Sequence, residues 1–295
     1  MNSTLRAYIE LHIAVFLFGF TAILGDLISL SALALVWWRV WLTSLSLLLF
    51  IRVGRMFRTL PRRLLWQFLG IGVLVGMHWL AFYGAIKLSN ASIALVAMAT
   101  TSFFTSILEP LIMRQRIKWV EVGLGLLIIP GMVLIVNGTE LSLLTGLWVG
   151  LGAALLAALF ATLNKKVMGD RNAFEITFLE LGSAAIFLSL VLPAYFAFSD
   201  APVRIIPSIL DWIYLLILAL LCTTLAYVLA LRALRQLSAF AANLTVNLEP
   251  VYGIALAWLI LKDHEQLTSH FYWGVIIILT AVFSYPILKK VQIKK

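Results

Sequence analysis

The residues best suited to chemistry lie inside one apolar stretch, 238–263, where Asn243, Asn247, Glu249 and Pro250 interrupt a run of hydrophobic side chains. A carboxylate in the middle of a membrane helix costs about 2.5 kcal/mol or more, so it needs a task or a partner. Pro250 leaves the carbonyl four residues earlier without its helical donor. The stretch therefore predicts a broken membrane helix whose polar residues border a cavity.

The polar residues of this stretch divide into two faces. If the helix continues at about 100° per residue, Asn243, Asn247 and Pro250 share one face and Glu249 lies nearly opposite. Two amides four residues apart offer donors and acceptors for a polar or zwitterionic solute. We therefore expect the asparagine face to line the solute path. Glu249 is expected to contact a neighbouring helix, either as a protonatable coupling group or as a structural carboxylate.

A second pair of candidates comes from two other apolar stretches. His78 and Tyr227 are 149 residues apart, the same offset that relates residues 81–89 to residues 230–238. Phe82 and Tyr83 lie one turn beyond His78 and could contact an apolar or aromatic part of a solute. Histidine is a natural candidate for pH dependence because its unperturbed pKa is about 6.5.

Hydroxyls and a carboxylate form a stripe between residues 102 and 109. Ser102 lies deepest and is the candidate for the cavity, although serine also bonds back to its own helix. Glu109 lies near Arg114 in sequence, which predicts charge pairing at the end of the helix.

Arg39 and Glu180 are the remaining charges inside apolar stretches. Both lie in the second predicted span of their half of the chain, a few residues from its end. Paired with each other or with the charges of a solute, they would provide opposite-charge recognition. The alternative for Arg39 is that its side chain extends to the membrane surface.

These candidates need a membrane scaffold to position them. The sequence is 63% hydrophobic and 12% charged, and its mean hydropathy is +1.04, which is typical of an integral membrane protein. The apolar stretches are long and unbroken, as transmembrane helices of about 20 residues require. Ten spans are predicted, at residues 8–28, 33–51, 64–86, 91–113, 119–136, 145–163, 174–198, 212–231, 239–261 and 271–288.

The basic residues orient this scaffold. With both termini in the cytoplasm, 18 of the 22 lysines and arginines fall in cytoplasmic segments, as the positive-inside rule requires. The net charge of +9 therefore reflects membrane topology, and no nucleic-acid partner is expected.

The chain also repeats itself. Residues 81–89 resemble residues 230–238, and each half continues with a polar-interrupted stretch, a short charged loop and a glycine-containing stretch. Five spans per half is an odd number, so the second half must enter the membrane from the opposite side. The predicted fold is all-α, with two five-helix units at residues 1–138 and 139–295 that form a 5+5 inverted repeat.

Several classes of function are disfavoured. The sequence has no GxxxxGK[ST] phosphate loop, and four scattered histidines and one cysteine give no catalytic or metal cluster. We therefore expect a protein that is not an enzyme and has no cofactor or metal.

The chain resembles EamA-type members of the drug/metabolite transporter superfamily over nearly its whole length. The resemblance is carried by HIAVFLFGFTAI, by the arginine in VWWRVWLTSLSLLLF, by TTLAYVLALRALRQLSAFAANL and by NLEPVYGIALAWLILKD. It implies a multi-pass carrier of the bacterial inner membrane that exports small metabolites such as amino acids through a cavity between the two halves. Proton coupling and a monomeric or homodimeric state stay open. The alternative function is a flippase for lipids or lipid-linked head groups.

Overall fold

The computed structural model describes residues 3–136, 144–197, 204–249, 251–253, 256 and 269–293, and among these residues it contains helices and no strand. The helices are α1 (Ser3–Leu27), α2 (Ala32–Leu47), α3 (Val53–Thr59), α4 (Arg62–Leu88), α5 (Ala91–Ala99), α6 (Thr101–Met113), α7 (Trp119–Val136), α8 (Leu144–Val167), α9 (Ala173–Ala197), α10 (Ile209–Ala219), α11 (Ala226–Gln236), α12 (Ala239–Val246) and α13 (Ser269–Ile293). A π-helix, Leu220–Leu225, joins α10 to α11.

Within the described residues, six helical stretches are long and apolar enough to cross a membrane. They are Ser3–Leu27, Arg62–Leu88, Ile93–Met113, Leu144–Val167, Ala173–Ala197 and Ile209–Gln236, and α2 is a shorter apolar helix of the same kind. Large apolar side chains such as Leu190, Trp148 and Phe283 remain exposed on the outside of the bundle, as a lipid-facing surface requires. The protein is thus a multi-pass helical membrane protein, and the count of ten spans stays a prediction.

Both predicted repeat-related stretches are interrupted. In the second half α12 ends at Val246, whose carbonyl lacks its helical donor because residue 250 is a proline, and Asn247 and Leu248 form a turn. Pro250 itself lies outside the described residues. In the first half the break falls at Thr100 between α5 and α6.

No proline stands at the break in the first half, because Pro110 lies further along the chain, inside α6. The hydroxyls of Thr100, Ser102 and Thr105 each bond back to a carbonyl three or four residues earlier. Such bonds compete with the helix and bend it.

Small residues set how closely the helices pack. A Cβ atom at Gly72 would collide with the backbone carbonyl of Glu180, so α4 and α9 are in backbone contact there. Gly19 and Gly253 meet in the same way, because a Cβ at Gly19 would lie 2.9 Å from the backbone nitrogen of Gly253. Close approach through small residues is the usual basis of helix packing in membranes.

Candidate functional site

A cavity of about 130 Å³ lies in the middle of the bundle. It is bordered by α1, α2, α4, α5, α6, α8, α11 and α12 and by Glu249 just beyond α12. Its polar lining consists of Thr21, Arg39, His78, Thr101, Asn164, Tyr227, Asn243 and Glu249, and its aromatic lining adds Phe18, Trp79, Phe82 and Phe160.

The cavity extends toward one end of the bundle. The contribution of α8 comes from its C-terminal half, down to Asn164. That of α11 runs along most of the helix, from Tyr227 to Leu234, and that of α12 begins near its N-terminus at Ala242. Toward the other end of the bundle, where α1 and α4 end, the last lining residues of these two helices are Thr21 and Phe82.

Contacts between helix ends hold the far end together. Asp211, in the first turn of α10, accepts hydrogen bonds from the backbone and the side chain of Ser29, both at 2.8 Å. Lys87 donates to the carbonyl of Ile28 at 3.1 Å. The cavity is therefore closed on the side where α1 ends and α10 begins.

Arg39 supplies the positive charge of the cavity. Its Nε donates to Thr223 Oγ1 at 2.6 Å and its Nη1 to the Tyr83 hydroxyl at 2.8 Å. The guanidinium carbon lies 3.9 Å from the centre of the Trp79 ring, a cation–π contact. Only 3% of the residue is exposed. The side chain thus does not extend to the membrane surface.

The π-helix explains how Arg39 is held. The hydroxyls of Thr223 and Thr224 donate to the carbonyls of Leu218 and Ala219, five residues earlier in each case. A π-helical turn contains one residue more than an α-helical turn, and in this turn the Thr223 hydroxyl is placed where it accepts a hydrogen bond from Arg39. Single π-turns inside α-helices are often found at functional sites.

Glu249 supplies a carboxyl group, and it borders the same cavity as Asn243. The expectation that these two residues lie on opposite faces was wrong. A helical wheel assumes an unbroken helix, whereas the turn at Asn247 and Leu248 changes the register before Glu249. The Glu249 carboxyl lies against the Thr21 side chain and within electrostatic range of Arg39.

The two opposite charges of the cavity are not joined. Among the described residues the ion pairs are Arg6–Glu10 and Lys118–Glu121, so Arg39 and Glu249 do not form one. Buried charges are normally paired. The cavity is therefore bordered by a guanidinium group and a carboxyl group that are not paired with each other.

Asn243 and Asn247 connect α12 to α6, in addition to the position of Asn243 at the cavity. The Asn243 Nδ2 donates to Thr105 Oγ1 at 2.8 Å, and the Asn247 Nδ2 donates to Ser102 Oγ at 2.9 Å. Asn247 and Ser102 are buried at this contact and do not border the cavity.

A carboxylate completes this contact. Glu109 accepts from the backbone nitrogens of Ala239 and Phe240 at 3.0 and 2.7 Å. It therefore caps the N-terminus of α12, where four amides lack helical partners. The expected pairing with Arg114 was wrong, because that free helix end is the better partner. We call the three contacts of Glu109, Thr105 and Ser102 with α12 the polar ladder.

Glu180 does not pair with Arg39 and does not border the cavity. It is completely buried, and its Oε2 accepts from the Tyr227 hydroxyl at 2.7 Å and from Asn164 Nδ2 at 3.3 Å. Arg39 and Glu180 thus contact different uncharged neighbours, and only the Oε2 atom of Glu180 has hydrogen-bond partners.

His78 and Tyr227 both border the cavity, as does Phe82. The Nδ1 of His78 lies 2.8 Å from the carbonyl of Ala153, and its ring packs 5.3 Å from that of Phe160. Tyr83 is buried behind the cavity, where it holds Arg39.

Several lining residues were not among the predicted site, and Asn164, Trp79 and Thr21 are three of them. Asn164 directly precedes two lysines, which placed it just past the end of the sixth predicted span. Trp79 is a deep tryptophan next to His78, and that depth is the signal that could have identified it. Thr21 carried no signal beyond its polarity.

The fold and the cavity define a class, a multi-pass helical membrane protein with a central, charge-bearing cavity. The chain belongs to the EamA-like transporter family, whose model matches residues 5–137 and again residues 144–285. A solved structure titled "Crystal structure of protein" is similar, with a TM-score of 0.70 and 12% identity over 94% of this chain and 95% of that chain, which shows a shared fold alone. A search of curated proteins gives no match.

Proposed function

We propose that the protein is a secondary transporter that exports a small zwitterionic metabolite of the amino-acid type. The observation that carries this proposal is that Arg39 and Glu249 border one buried cavity without forming an ion pair. An α-carboxylate can accept from the guanidinium and an α-ammonium can donate to the carboxylate, each through a charge-assisted hydrogen bond.

The remaining lining favours a solute with an apolar side chain. Phe18, Trp79, Phe82 and Phe160 provide an apolar wall beside the two charges. The cavity volume is below the range of about 300–1,000 Å³ for drug-sized ligands, which favours a small solute over a lipid head group with its chains.

Alternating access between two inverted five-helix units, residues 1–138 and 139–295, is the proposed mechanism. In the predicted topology, the end toward which the cavity extends is cytoplasmic. The Asp211–Ser29 contact would then close the opposite side and the polar ladder would join the units near the cytoplasmic side. An exporter in the bacterial inner membrane would load its solute from this state.

Counterflow in proteoliposomes tests the proposal. We expect vesicles loaded with an unlabelled neutral amino acid to take up the labelled compound, and Arg39→Gln and Glu249→Gln each to abolish this exchange. Glu10→Gln, which changes an exposed surface pair, is the matched control and should exchange like the parent protein. Unchanged exchange in both cavity variants would refute the role of the charges. Uptake of a lipid-linked head group in place of amino acids would favour a flippase.

A further inference from the structure

Glu180 lies directly behind the wall of the cavity. Its two hydrogen-bond donors, Tyr227 and Asn164, both border the cavity, and both donate to the same carboxyl oxygen, Oε2. Glu180 itself is fully buried between α4, α8, α9 and α11. Two side chains therefore separate a carboxyl group from the solute path.

The hydrogen bonds around Glu180 fit a neutral carboxylic acid. Oε2 accepts twice, as the carbonyl oxygen of an acid does, while Oε1 has no partner. A proton on Oε1 would make it a donor, and Asn164 Oδ1 is a buried acceptor that also has no partner. A carboxylate in this position would leave one charged oxygen buried and unpaired.

No cation among the described residues compensates Glu180. On the packed helices, Tyr227 is the titratable group that touches it. Arg39 donates to Thr223 and Tyr83, and His78 lies against the carbonyl of Ala153. The lysines of α4 and α8 donate to backbone carbonyls elsewhere: Lys87 to Ile28, Lys165 to Leu234 and Arg235, and Lys166 to Ile112. On α11, Arg232 lies over the ring of Phe174 and Arg235 is near the end of the helix. Glu175 lies in the first turn of α9.

We propose, resting on the transport function proposed above, that Glu180 is a proton-binding site that couples solute export to a proton gradient. The O–H bond at Oε1 forms when the carboxylate takes a proton from water on one side. It breaks when the proton passes to water in the cavity, and the electron pair stays on the carboxylate, where Tyr227 and Asn164 donate to it. Glu249 meets the solute, so the two buried carboxyls have different tasks.

Transport driven by a pH gradient tests this site. With one proton exchanged for one solute, a pH difference of one unit gives an accumulation of about tenfold in the parent protein. We expect Glu180→Gln to abolish accumulation while exchange of labelled for unlabelled solute continues. Glu175→Gln, in the first turn of the same helix, is the matched control and should accumulate solute normally. Tenfold accumulation by Glu180→Gln, or accumulation driven by sodium in place of protons, would overturn the proposal.

Infrared spectroscopy provides a readout that needs no solute and no transport. The parent protein at neutral pH should show the carbonyl stretch of a protonated carboxylic acid, and Glu180→Gln should remove this band while Glu249→Gln retains it. Tyr227→Phe, which removes one donor to Oε2, should shift the band, so the test stands if Glu180→Gln does not fold. A band that neither Glu180→Gln nor Tyr227→Phe alters would refute the proton site. A band that responds as expected in a protein that moves no amino acid would refute only the proposed function.

Discussion

Replacing Glu109 tests whether the polar ladder holds the two halves of the chain together. The residue is 8% exposed and belongs to α6, whereas the two amides that it caps belong to α12. Glu109→Ala leaves the backbone nitrogens of Ala239 and Phe240 without an acceptor in a region that water does not reach. The Ser238 side chain accepts from Ala241, the next amide of the same helix end.

The size of the effect follows from these two bonds. An unsatisfied buried donor costs about 1–3 kcal/mol, so Glu109→Ala should lower the free energy of unfolding by about 2–6 kcal/mol. Glu109→Gln keeps one acceptor oxygen and loses the charge, so about half of that loss is expected. Glu10→Ala removes an exposed pair with Arg6, for which about 0.3–0.5 kcal/mol is expected.

Equilibrium unfolding in detergent micelles measures all three variants. The expected order of stability is Glu10→Ala close to the parent protein, Glu109→Gln lower, and Glu109→Ala lowest. The explanation would fail if Glu109→Ala unfolded with the same free energy as Glu10→Ala, because the contacts at α12 would then contribute nothing to the fold.

Two further predictions concern packing and the closed end of the cavity. Gly72→Ala should destabilise the protein by about 1–3 kcal/mol, because the added methyl group meets the Glu180 carbonyl. Gly182→Ala is the control and should leave the stability unchanged, because there is open space around Gly182. Equal melting temperatures of the two variants would contradict this prediction. Asp211→Asn should lower the free energy of unfolding by about 1–3 kcal/mol, since an amide cannot accept all the bonds from Ser29 that the carboxylate accepts, and an unchanged thermal melt would count against that contact.

Much of the helical scaffold could be predicted from the sequence. The predicted span 119–136 coincides with α7, and the seventh span differs by one residue at each end from α9. Long apolar stretches are constrained by the bilayer, so their ends are marked by changes of composition. The polar interruption of 238–263 also predicted a real break, because proline removes a specific hydrogen bond.

The site could be predicted only in part. His78, Arg39 and Asn243 were expected at the cavity and are found there. The predicted orientation of Glu249 was wrong, because the helical wheel assumes a constant angle per residue and the turn at Asn247 and Leu248 breaks that regularity. The predicted pairing of Glu180 with Arg39 was wrong for another reason. The sequence shows that two opposite charges are present, but only the packed helices show that a hydroxyl group lies closer to Glu180 than Arg39 does.

The partners of Glu109 illustrate a third limit. A carboxylate near an arginine in sequence suggests an ion pair, yet the backbone amides of a helix end from the other half of the chain are the closer partners. Backbone groups carry no sequence signal, so this contact could not be found before the fold was known.

The central claim is that Arg39 and Glu249 recognise the two charges of one solute, and calorimetric titration of the purified protein tests it most directly. Three ligands suffice: a neutral amino acid, its analogue without the amine and its analogue without the carboxylate. Each analogue loses one charge-assisted hydrogen bond of about 1.5–3 kcal/mol, so each should bind the parent protein about 10–150 times more weakly.

Each variant should lose the preference for one of the two charged groups of the amino acid. Glu249→Gln should bind the amino acid no better than the analogue without the amine, and Arg39→Gln no better than the analogue without the carboxylate. Equal affinity of the parent protein for all three ligands, or the same loss for both analogues in both variants, would contradict the account.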